Sequence, residues 1–300
     1  MLKLGAHMSI SGGFDKAVQR AQSVESDALQ IFTKNQKQWK AKPIADEDAA
    51  IFRQQCLDCA IDPVVAHDSY LINLASPNDE MWEKSIDAFR IELERCEQLG
   101  IPFLVTHPGA HTGSGTEAGI ARVIVALDRV HAELPGYRVR TLLETTAGQG
   151  TTLGATFEEL ATMIDGVAAP ERLGICYDTC HTFVAGYDIR TPETYAVTME
   201  QLDRTVGVSQ IEAFHFNDAL TDFGSKRDRH AHIGAGFIGA EGFRNFMNDA
   251  RFAGKPALLE TEKGDDLTED REALTLLRSL VAGAGGGSLT AAPMVATTGG

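Results

Sequence analysis

Six consecutive short apolar segments of this 300-residue chain end in, or are followed at once by, side chains that bind metal ions well. These side chains are His67, His107, Glu144, Asp178 with His181, His215 and Glu260. The D-x-H pair Asp228 and His230 follows the segment that contains His215. A single histidine after an apolar run is ordinarily a satisfied edge residue, but six such ends in succession would be an improbable coincidence. The set therefore predicts a metal-dependent site.

These nine side chains offer five imidazoles and four carboxylates, without a thiolate. Zinc seldom takes more than four or five ligands, so the set predicts two or three ions. Mixed nitrogen and oxygen donors favour zinc, with manganese as a possible substitute, over calcium or magnesium. Three divalent ions would change the local formal charge from −4 to +2, which would attract phosphate. Phosphate-ester hydrolysis is the natural reaction, and a metal-dependent sugar isomerase or epimerase is its rival.

A scaffold must bring the ends of these segments together. Eight apolar runs of strand length occur at residues 2–6, 28–32, 63–67, 103–107, 140–144, 173–178, 211–216 and 257–260. Helix-like segments separate them, near residues 14–24, 46–60, 79–99, 117–134, 156–165, 192–206, 240–251 and 269–282. This alternation predicts an α/β fold, a single (β/α)8 TIM barrel over residues 1–282, with the site at the C-terminal ends of its strands. A doubly wound parallel sheet is the structural alternative.

Composition limits the remaining possibilities. Residues 283–300 are rich in Gly, Ala, Ser and Thr and contain no charged residue, so we expect a disordered tail there. We also expect a cytoplasmic protein without a membrane partner. No run approaches 18 uncharged apolar residues, and Met1 leads directly into the first strand-like run. The five cysteines predict reduced thiols rather than a disulfide framework.

A formal net charge of −15 excludes binding through a uniformly basic surface, so a nucleic-acid partner would need a local positive patch. The segment TKNQKQWKAK, residues 33–42, supplies four lysines and no acid, and it includes Asn35 and Gln36. Lys226, Arg227 and Arg229 surround Asp228 in another loop on the same face of the predicted barrel. Such side chains can follow a phosphate backbone while an aromatic or amide group contacts bases.

Long motifs in the chain closely resemble endonuclease IV, the zinc-dependent abasic-site endonuclease family of base excision repair. They include GAHMSISGG at 5–13, IFTKNQKQW at 31–39, AHDSYLINLASP at 66–77, THPGAH at 106–111, LLETTAGQGTTLG at 142–154, YDTCHTFVAGYDIRT at 177–191, FHFNDA at 214–219, DRHAHIGAG at 228–236 and ALLETE at 257–262. The matches span residues 1–280, which makes the resemblance specific to this family.

The resemblance implies three zinc ions per chain, because all nine ligand positions of the family are matched. The first ion would be held by His67, His107 and Glu144. The second would be held by Glu144 as a bridge, Asp178, His215 and Glu260. The third would be held by His181, Asp228 and His230. Glu144, Glu260 and Asp178 would be the catalytic residues, acting as metal ligands.

The resemblance also implies the substrate, which is double-stranded DNA that contains an abasic site or a blocked 3′ end. The family cleaves the phosphodiester 5′ to the abasic site, leaving a 3′-hydroxyl and a 5′-deoxyribose phosphate, and it trims blocked 3′ ends. Lys37 and Tyr70 match positions that enter the DNA helix, so with Asn35, Gln36 and Arg229 they are the predicted DNA contacts. A monomer is expected. A catalytically silent DNA-lesion binder is the alternative from another class.

Four positions depart from the usual family pattern. Lys37 replaces an arginine whose planar guanidinium could stack in a helix gap. His232 stands where Asn or Ser is usual, Ala235 replaces the acid of Gly-Glu-Gly, and Glu262 replaces a proline. None is an implied ligand, so these changes put loop rigidity and DNA affinity in question rather than the reaction.

Overall fold

The structure, a computed structural model, describes residues 1–282, and the predicted disordered tail lies outside the described residues. The strands are β1 (Lys3–His7), β2 (Ala28–Phe32), β3 (Val64–His67), β4 (Phe103–Thr106), β5 (Arg140–Glu144), β6 (Leu173–Asp178), β7 (Ile211–His215), β8 (Asp218–Ala219), β9 (His230–Ala231) and β10 (Pro256–Leu259). The helices are α1 (Phe14–Ser23), α2 (Asp46–Asp58), α3 (Asp79–Leu99), α4 (Thr116–Glu133), α5 (Phe157–Gly166), α6 (Thr179–Ala185), α7 (Pro192–Thr205), α8 (Gly239–Met247) and α9 (Thr268–Ser279).

Eight of the strands close into a parallel barrel in the order β1, β10, β7, β6, β5, β4, β3, β2. Closure depends on β1, which pairs with β2 on one side and with β10 on the other. The predicted TIM barrel is confirmed, and the doubly wound sheet is wrong because such a sheet would leave two open edges. Among residues 1–282, no helix is long and apolar enough to cross a membrane.

The barrel interior is filled by side chains that alternate with those facing the helices. Its lower part is an apolar layer, fully or almost fully buried and composed of Ala28, Val65, Val105, Leu142, Cys176, Ala213 and Leu258. A larger apolar cluster lies between the barrel and its helices. Parallel strands that are covered on both faces exclude water from the lower part of the barrel. Polar side chains therefore gather at the C-terminal mouth of the barrel, above the apolar layer.

Two short elements at that mouth are absent from the sequence prediction. Helix α6 follows β6 without a loop, and the carboxylate of Asp178 caps it by accepting from the backbone N–H of His181 at 2.7 Å. Strands β8 and β9 form a two-stranded antiparallel sheet that carries His230. A helix of seven residues and strands of two are too short to display a periodic apolar pattern, which explains why sequence periodicity missed them.

Candidate metal centre

All nine side chains predicted from the sequence as metal ligands converge at the C-terminal mouth of the barrel. Their donor atoms fall into overlapping groups whose members lie within 4.8 Å of one another. The first group is His67, His107 and Glu144, the second is Glu144, Asp178, His215 and Glu260, and the third is Asp178, His181 and His230. The ninth side chain, Asp228, falls in a fourth group with Cys180 and His230, so Asp178 stands in the third group where Asp228 was expected. Two of these groups share Glu144 and two share Asp178, so the groups form one continuous cluster.

Glu144 lies at the centre of this cluster and is fully buried. One carboxylate oxygen, Oε2, is 3.1 Å from Nε2 of both His67 and His107. The other, Oε1, is 3.0 Å from Nδ1 of His215 and 3.3 Å from Nδ1 of His181. Each oxygen therefore faces a different set of imidazoles, which is the geometry needed for a carboxylate that bridges two cations.

Asp228 occupies the outer edge of the cluster. Its two oxygens lie 3.2 Å from Nε2 of His181 and 3.2 Å from Nε2 of His230. The Sγ atom of Cys180 is also within 4.8 Å of donor atoms of Asp228 and His230. Burial raises the pKa of the Cys180 thiol, and its Sγ donates to the carbonyl of Arg229. The thiol is therefore held in its neutral form, which is a weak ligand.

The buried imidazoles of the cluster are oriented by neutral acceptors behind them. Nδ1 of His67 is 2.9 Å from the carbonyl oxygen of Asp68, and Nδ1 of His181 is 2.9 Å from that of Thr145. A carbonyl oxygen only accepts, so each Nδ1 carries a proton. This leaves Nε2 of both rings facing the carboxylates, as in metal-binding histidines whose other nitrogen is hydrogen-bonded to a backbone carbonyl.

The carboxylates reverse the usual effect of burial on histidine. Burial lowers the pKa of His131, which lies outside the cluster, to about 4. Burial would also lower the pKa of His67, but the hydrogen bond and negative charge of Glu144 outweigh it and raise the pKa to about 10. In the same way, Asp228 outweighs burial and raises the pKa of His230 to about 9. The cluster thus stabilises positive charge strongly.

This donor set fits divalent cations. It combines imidazole nitrogens and carboxylate oxygens, the ligands that zinc and manganese accept, in overlapping groups of three and four. Nε2 of His181 and Nε2 of His230 are buried and lie 3.2 Å from the oxygens of Asp228, but neither makes a well-aligned hydrogen bond to a described residue. Buried polar atoms are seldom left unpaired, so these two nitrogens are suited to coordinate a cation. Which metal binds, and how many ions, stays a prediction.

Two polar side chains of the cluster were missed from the sequence. Asn217 donates to Asp178 at 2.7 Å and accepts from the backbone N–H of Glu260 at 3.1 Å. Gln30, which points into the barrel from β2, contacts both His215 and Glu260. Gln30 lies within the apolar run ALQIF, and a single glutamine inside a buried strand was the available signal for an interior polar contact.

Tyr70 lies at the rim of the cluster and is 63% exposed. Its ring centroid is 5.7 Å from that of His67, so it borders the candidate metal centre directly. The neighbouring Ser69 donates its hydroxyl to the carbonyl of Gln36 at 2.6 Å. This bond fastens the segment 33–42 to the loop that carries Tyr70. The two segments predicted to contact DNA are therefore joined beside the cluster.

A buried ionic network on α3 holds the segment 33–42 in place. Arg95 donates to the carbonyl oxygens of Thr33 and Lys42, so it connects the two ends of the segment. Glu92 accepts from the hydroxyl of Thr33 and pairs with Nζ of Lys34 at 3.2 Å. Because Glu92 and Lys34 are almost completely buried, this pair has a positional role and Lys34 is not free to contact a ligand.

The other predicted DNA contacts are at the surface. Asn35 and Lys37 are exposed, and the side chain of Asn35 accepts from the backbone N–H of Lys37 at 2.9 Å. Arg229 is exposed as well and, with Lys226 and Arg227, lines a cavity of about 530 Å³. The structure therefore places cationic side chains on two loops at the mouth of the barrel, although the chain as a whole is acidic.

Three of the departures from the family pattern, His232, Ala235 and Glu262, are exposed. The loop that contains Ala235 is fastened from below by the buried Asp218. Its carboxylate accepts from three backbone N–H groups between residues 234 and 238, at 2.9–3.0 Å. These bonds restrain the loop without the acid that is usual at position 235.

Comparison with known proteins identifies the family. Residues 18–280 match the model of the xylose isomerase-like TIM barrels. The probable endonuclease 4 of Chloroflexus aurantiacus is 59% identical over 284 residues, which cover 95% of this chain and 100% of that protein. The probable endonuclease 4 of Trichlorobacter lovleyi is 52% identical over 277 residues, 92% of this chain and 99% of that protein.

Solved structures give the same answer at the level of the fold. The crystal structure of endonuclease IV from Thermus thermophilus covers 93% of this chain and 98% of its own, with a TM-score of 0.81 and 34% identity. A D-tagatose 3-epimerase-like protein also superposes, with a TM-score of 0.71, but at 18% identity it shares only the barrel. The chain is a member of the endonuclease IV family, a nuclease branch of the xylose isomerase-like TIM barrels.

Proposed function

We propose that this protein is a DNA-repair endonuclease that hydrolyses the phosphodiester 5′ to an abasic site, leaving a 3′-hydroxyl and a 5′-deoxyribose phosphate, and that trims blocked 3′ ends. It acts as a monomer on double-stranded DNA, with three zinc ions. The observation that carries the proposal is one continuous cluster of nine nitrogen and oxygen donors at the barrel mouth, directly beside an exposed tyrosine and two cationic loops.

The cluster contains the residues that such a reaction needs. When bound, divalent ions would activate water, polarise the phosphate and stabilise the departing oxygen. Glu144 and Asp178 hold neighbouring donor groups at a fixed spacing because both are shared between groups. Asn217 and the cap of α6 fix the carboxylate of Asp178 in turn. A cavity of about 480 Å³ lined by Asp228, His230 and Glu260 provides room for substrate beside the cluster.

Selectivity for a damaged nucleotide follows from the elements around the cluster. An abasic nucleotide has no base to unpair or unstack. Turning that nucleotide out of the duplex and into the barrel mouth therefore costs less free energy than turning out an intact one. Bending a short duplex costs about 1–6 kcal/mol, which contacts with the protein must offset. Tyr70 and the segment 33–42 are joined through Ser69 and Gln36, so they can press on DNA as one unit. An intact duplex keeps its base stacking and therefore resists this bending and extrusion.

The test is cleavage of a labelled duplex with one abasic site beside the same duplex without it. We expect incision only at the lesion, loss of incision after prolonged chelation, and recovery when zinc is restored. Binding without incision under zinc-loaded conditions would instead identify a silent lesion binder. If the protein neither binds nor cuts this DNA, the proposal is wrong and sugar substrates of the epimerase-like barrels become the next assay.

A further inference from the structure

Directly above the apolar layer lies a polar layer of the barrel interior, formed by Gln30, His67, His107, Glu144, Asp178, His215 and Glu260. Gln30 is the one member of this layer that is not in the donor cluster. Six of the eight barrel strands place an aspartate, glutamate or histidine of the donor cluster at or just beyond their C-terminal ends. The exceptions are β1, which ends in His7, and β2, which presents Gln30. Gln30 is completely buried, and an amide in that position must satisfy its hydrogen bonds within the layer.

The contacts of Gln30 determine which way its amide points. Its Nε2 is 2.6 Å from Oε1 of Glu260 and 3.0 Å from Nδ1 of His7. An ionised carboxylate can only accept, so the amide nitrogen must face Glu260. The amide oxygen then faces Nε2 of His215 at 2.8 Å. The opposite orientation would place two oxygens at 2.6 Å, with no proton between them.

This orientation assigns the proton on His215. Since the amide oxygen only accepts, Nε2 of His215 must carry a proton and donate it. In the neutral ring the lone pair is then on Nδ1, which is 3.0 Å from Glu144 and 3.2 Å from Glu260. Gln30 therefore orients two predicted ligands of the same ion, since it holds His215 through its oxygen and Glu260 through its nitrogen.

We propose that Gln30 is the positioning residue of the second metal site, setting the tautomer of His215 and the rotamer of Glu260 so that both present lone pairs to one divalent ion. This inference rests on the proposed function only in requiring that the cluster bind divalent ions. Backbone carbonyls orient His67 and His181 instead, and they bond Nδ1 of those rings, so that Nε2 is left free. For His215 a side chain performs that task, so this orientation can be removed by substitution.

The experiment compares zinc binding and ring protonation in the full-length wild-type protein and in Gln30→Met, which has a similar volume but no amide. Competition against a chelator should give a dissociation constant about ten- to one-hundredfold higher for one ion in Gln30→Met. In zinc-loaded protein with ¹⁵N-labelled histidine, the Nε2 proton of His215 should be visible in the wild type and lost or rapidly exchanging in the variant.

Two controls separate positioning from packing. Leu142→Met alters the apolar layer beneath and should change neither the zinc affinity nor the His215 signal. Gln30→Glu keeps an acceptor toward His215 and should keep the ring proton, but it places an oxygen 2.6 Å from Oε1 of Glu260 and should still weaken the binding of one ion. Wild-type zinc affinity in Gln30→Glu would contradict the role toward Glu260, which preserves the test if Gln30→Met does not fold. Unchanged affinity and an unchanged His215 signal in Gln30→Met would overturn this inference alone, provided that the wild type binds zinc and cuts abasic DNA. A wild type that binds no divalent ion would overturn both.

Discussion

Two adjacent layers inside the barrel have the same geometry and opposite chemistry. Each member of the apolar layer lies two residues before a member of the polar layer, on the same strand or just beyond its end. The pairs are Ala28 and Gln30, Val65 and His67, Val105 and His107, Leu142 and Glu144, Cys176 and Asp178, Ala213 and His215, and Leu258 and Glu260. Side chains two residues apart point to the same side of a strand, so the two layers lie directly one above the other.

The difference between the layers separates stability from chemistry. The apolar layer buries side chains that need no hydrogen-bond partners. Its packing also sets the spacing of the strands, and this spacing positions the side chains of the polar layer above. The polar layer buries carboxylates, which is costly unless each is paired with positive charge. We therefore expect substitutions in the lower layer to reduce stability, and substitutions in the upper layer to reduce metal binding and catalysis.

The sharpest test is the pair on β5. Glu144→Gln should reduce incision of abasic DNA by about a thousandfold or more. Substituting a residue that only hydrogen-bonds to a metal ligand costs about ten- to hundredfold, and the loss of a bridging ligand should exceed that. Glu144 contacts four imidazoles, and a neutral amide cannot bridge two cations in its place. Single-turnover kinetics and the circular dichroism of the same samples measure activity and fold. Near-normal turnover would show that Glu144 is not a bridging ligand of the site.

Leu142, two residues earlier on β5, should respond in the opposite way. Leu142→Ala leaves a cavity in a fully buried layer and should lower the free energy of unfolding by about 2–5 kcal/mol. Urea denaturation measures this loss, and metal analysis of the folded variant should give the wild-type stoichiometry. If the variant instead lost metal and kept its stability, the division between the two layers would not hold.

A buried histidine outside the layers gives a pH test. Burial lowers the pKa of His131 from 6.5 to about 4, so its neutral form stabilises the fold above pH 6.5 and this contribution is lost as the pH falls toward 4. Between pH 7 and pH 4, His131→Met should therefore lose less stability than the wild type, by about 1–3 kcal/mol. Urea denaturation at several pH values checks this, and parallel curves for the two proteins would contradict it.

The smallest expected effect is at the rim. Tyr70→Ala should weaken binding to an abasic duplex by about tenfold, because one aromatic contact with DNA contributes about 1–3 kcal/mol. Its zinc content should match that of the wild type, since Tyr70 lies beside the donor cluster but outside its groups. Fluorescence anisotropy and metal analysis provide the two readouts. Loss of zinc from Tyr70→Ala would show that Tyr70 supports the metal centre and not only the contact with DNA.

Much of the fold was predictable because local pattern and global architecture agree. The strands around 28–32, 140–144 and 173–178 have the predicted bounds, and so does the helix 79–99. The family was predictable too, since its motifs are long and ordered along the chain. The short helix α6 and the β8–β9 hairpin were not, because their positions depend on the loops against which they pack.

The sequence by itself determined which residue types stand at the ends of which strands, because a period of two and the spacing of apolar runs are properties of the chain alone. Only the tertiary structure decided which atoms face one another. That Glu144 has one oxygen for each set of imidazoles, and that Gln30 reaches His215 across the interior, depends on closure of the barrel. Residues 185 positions apart in the chain become neighbours only when the last strand pairs with the first.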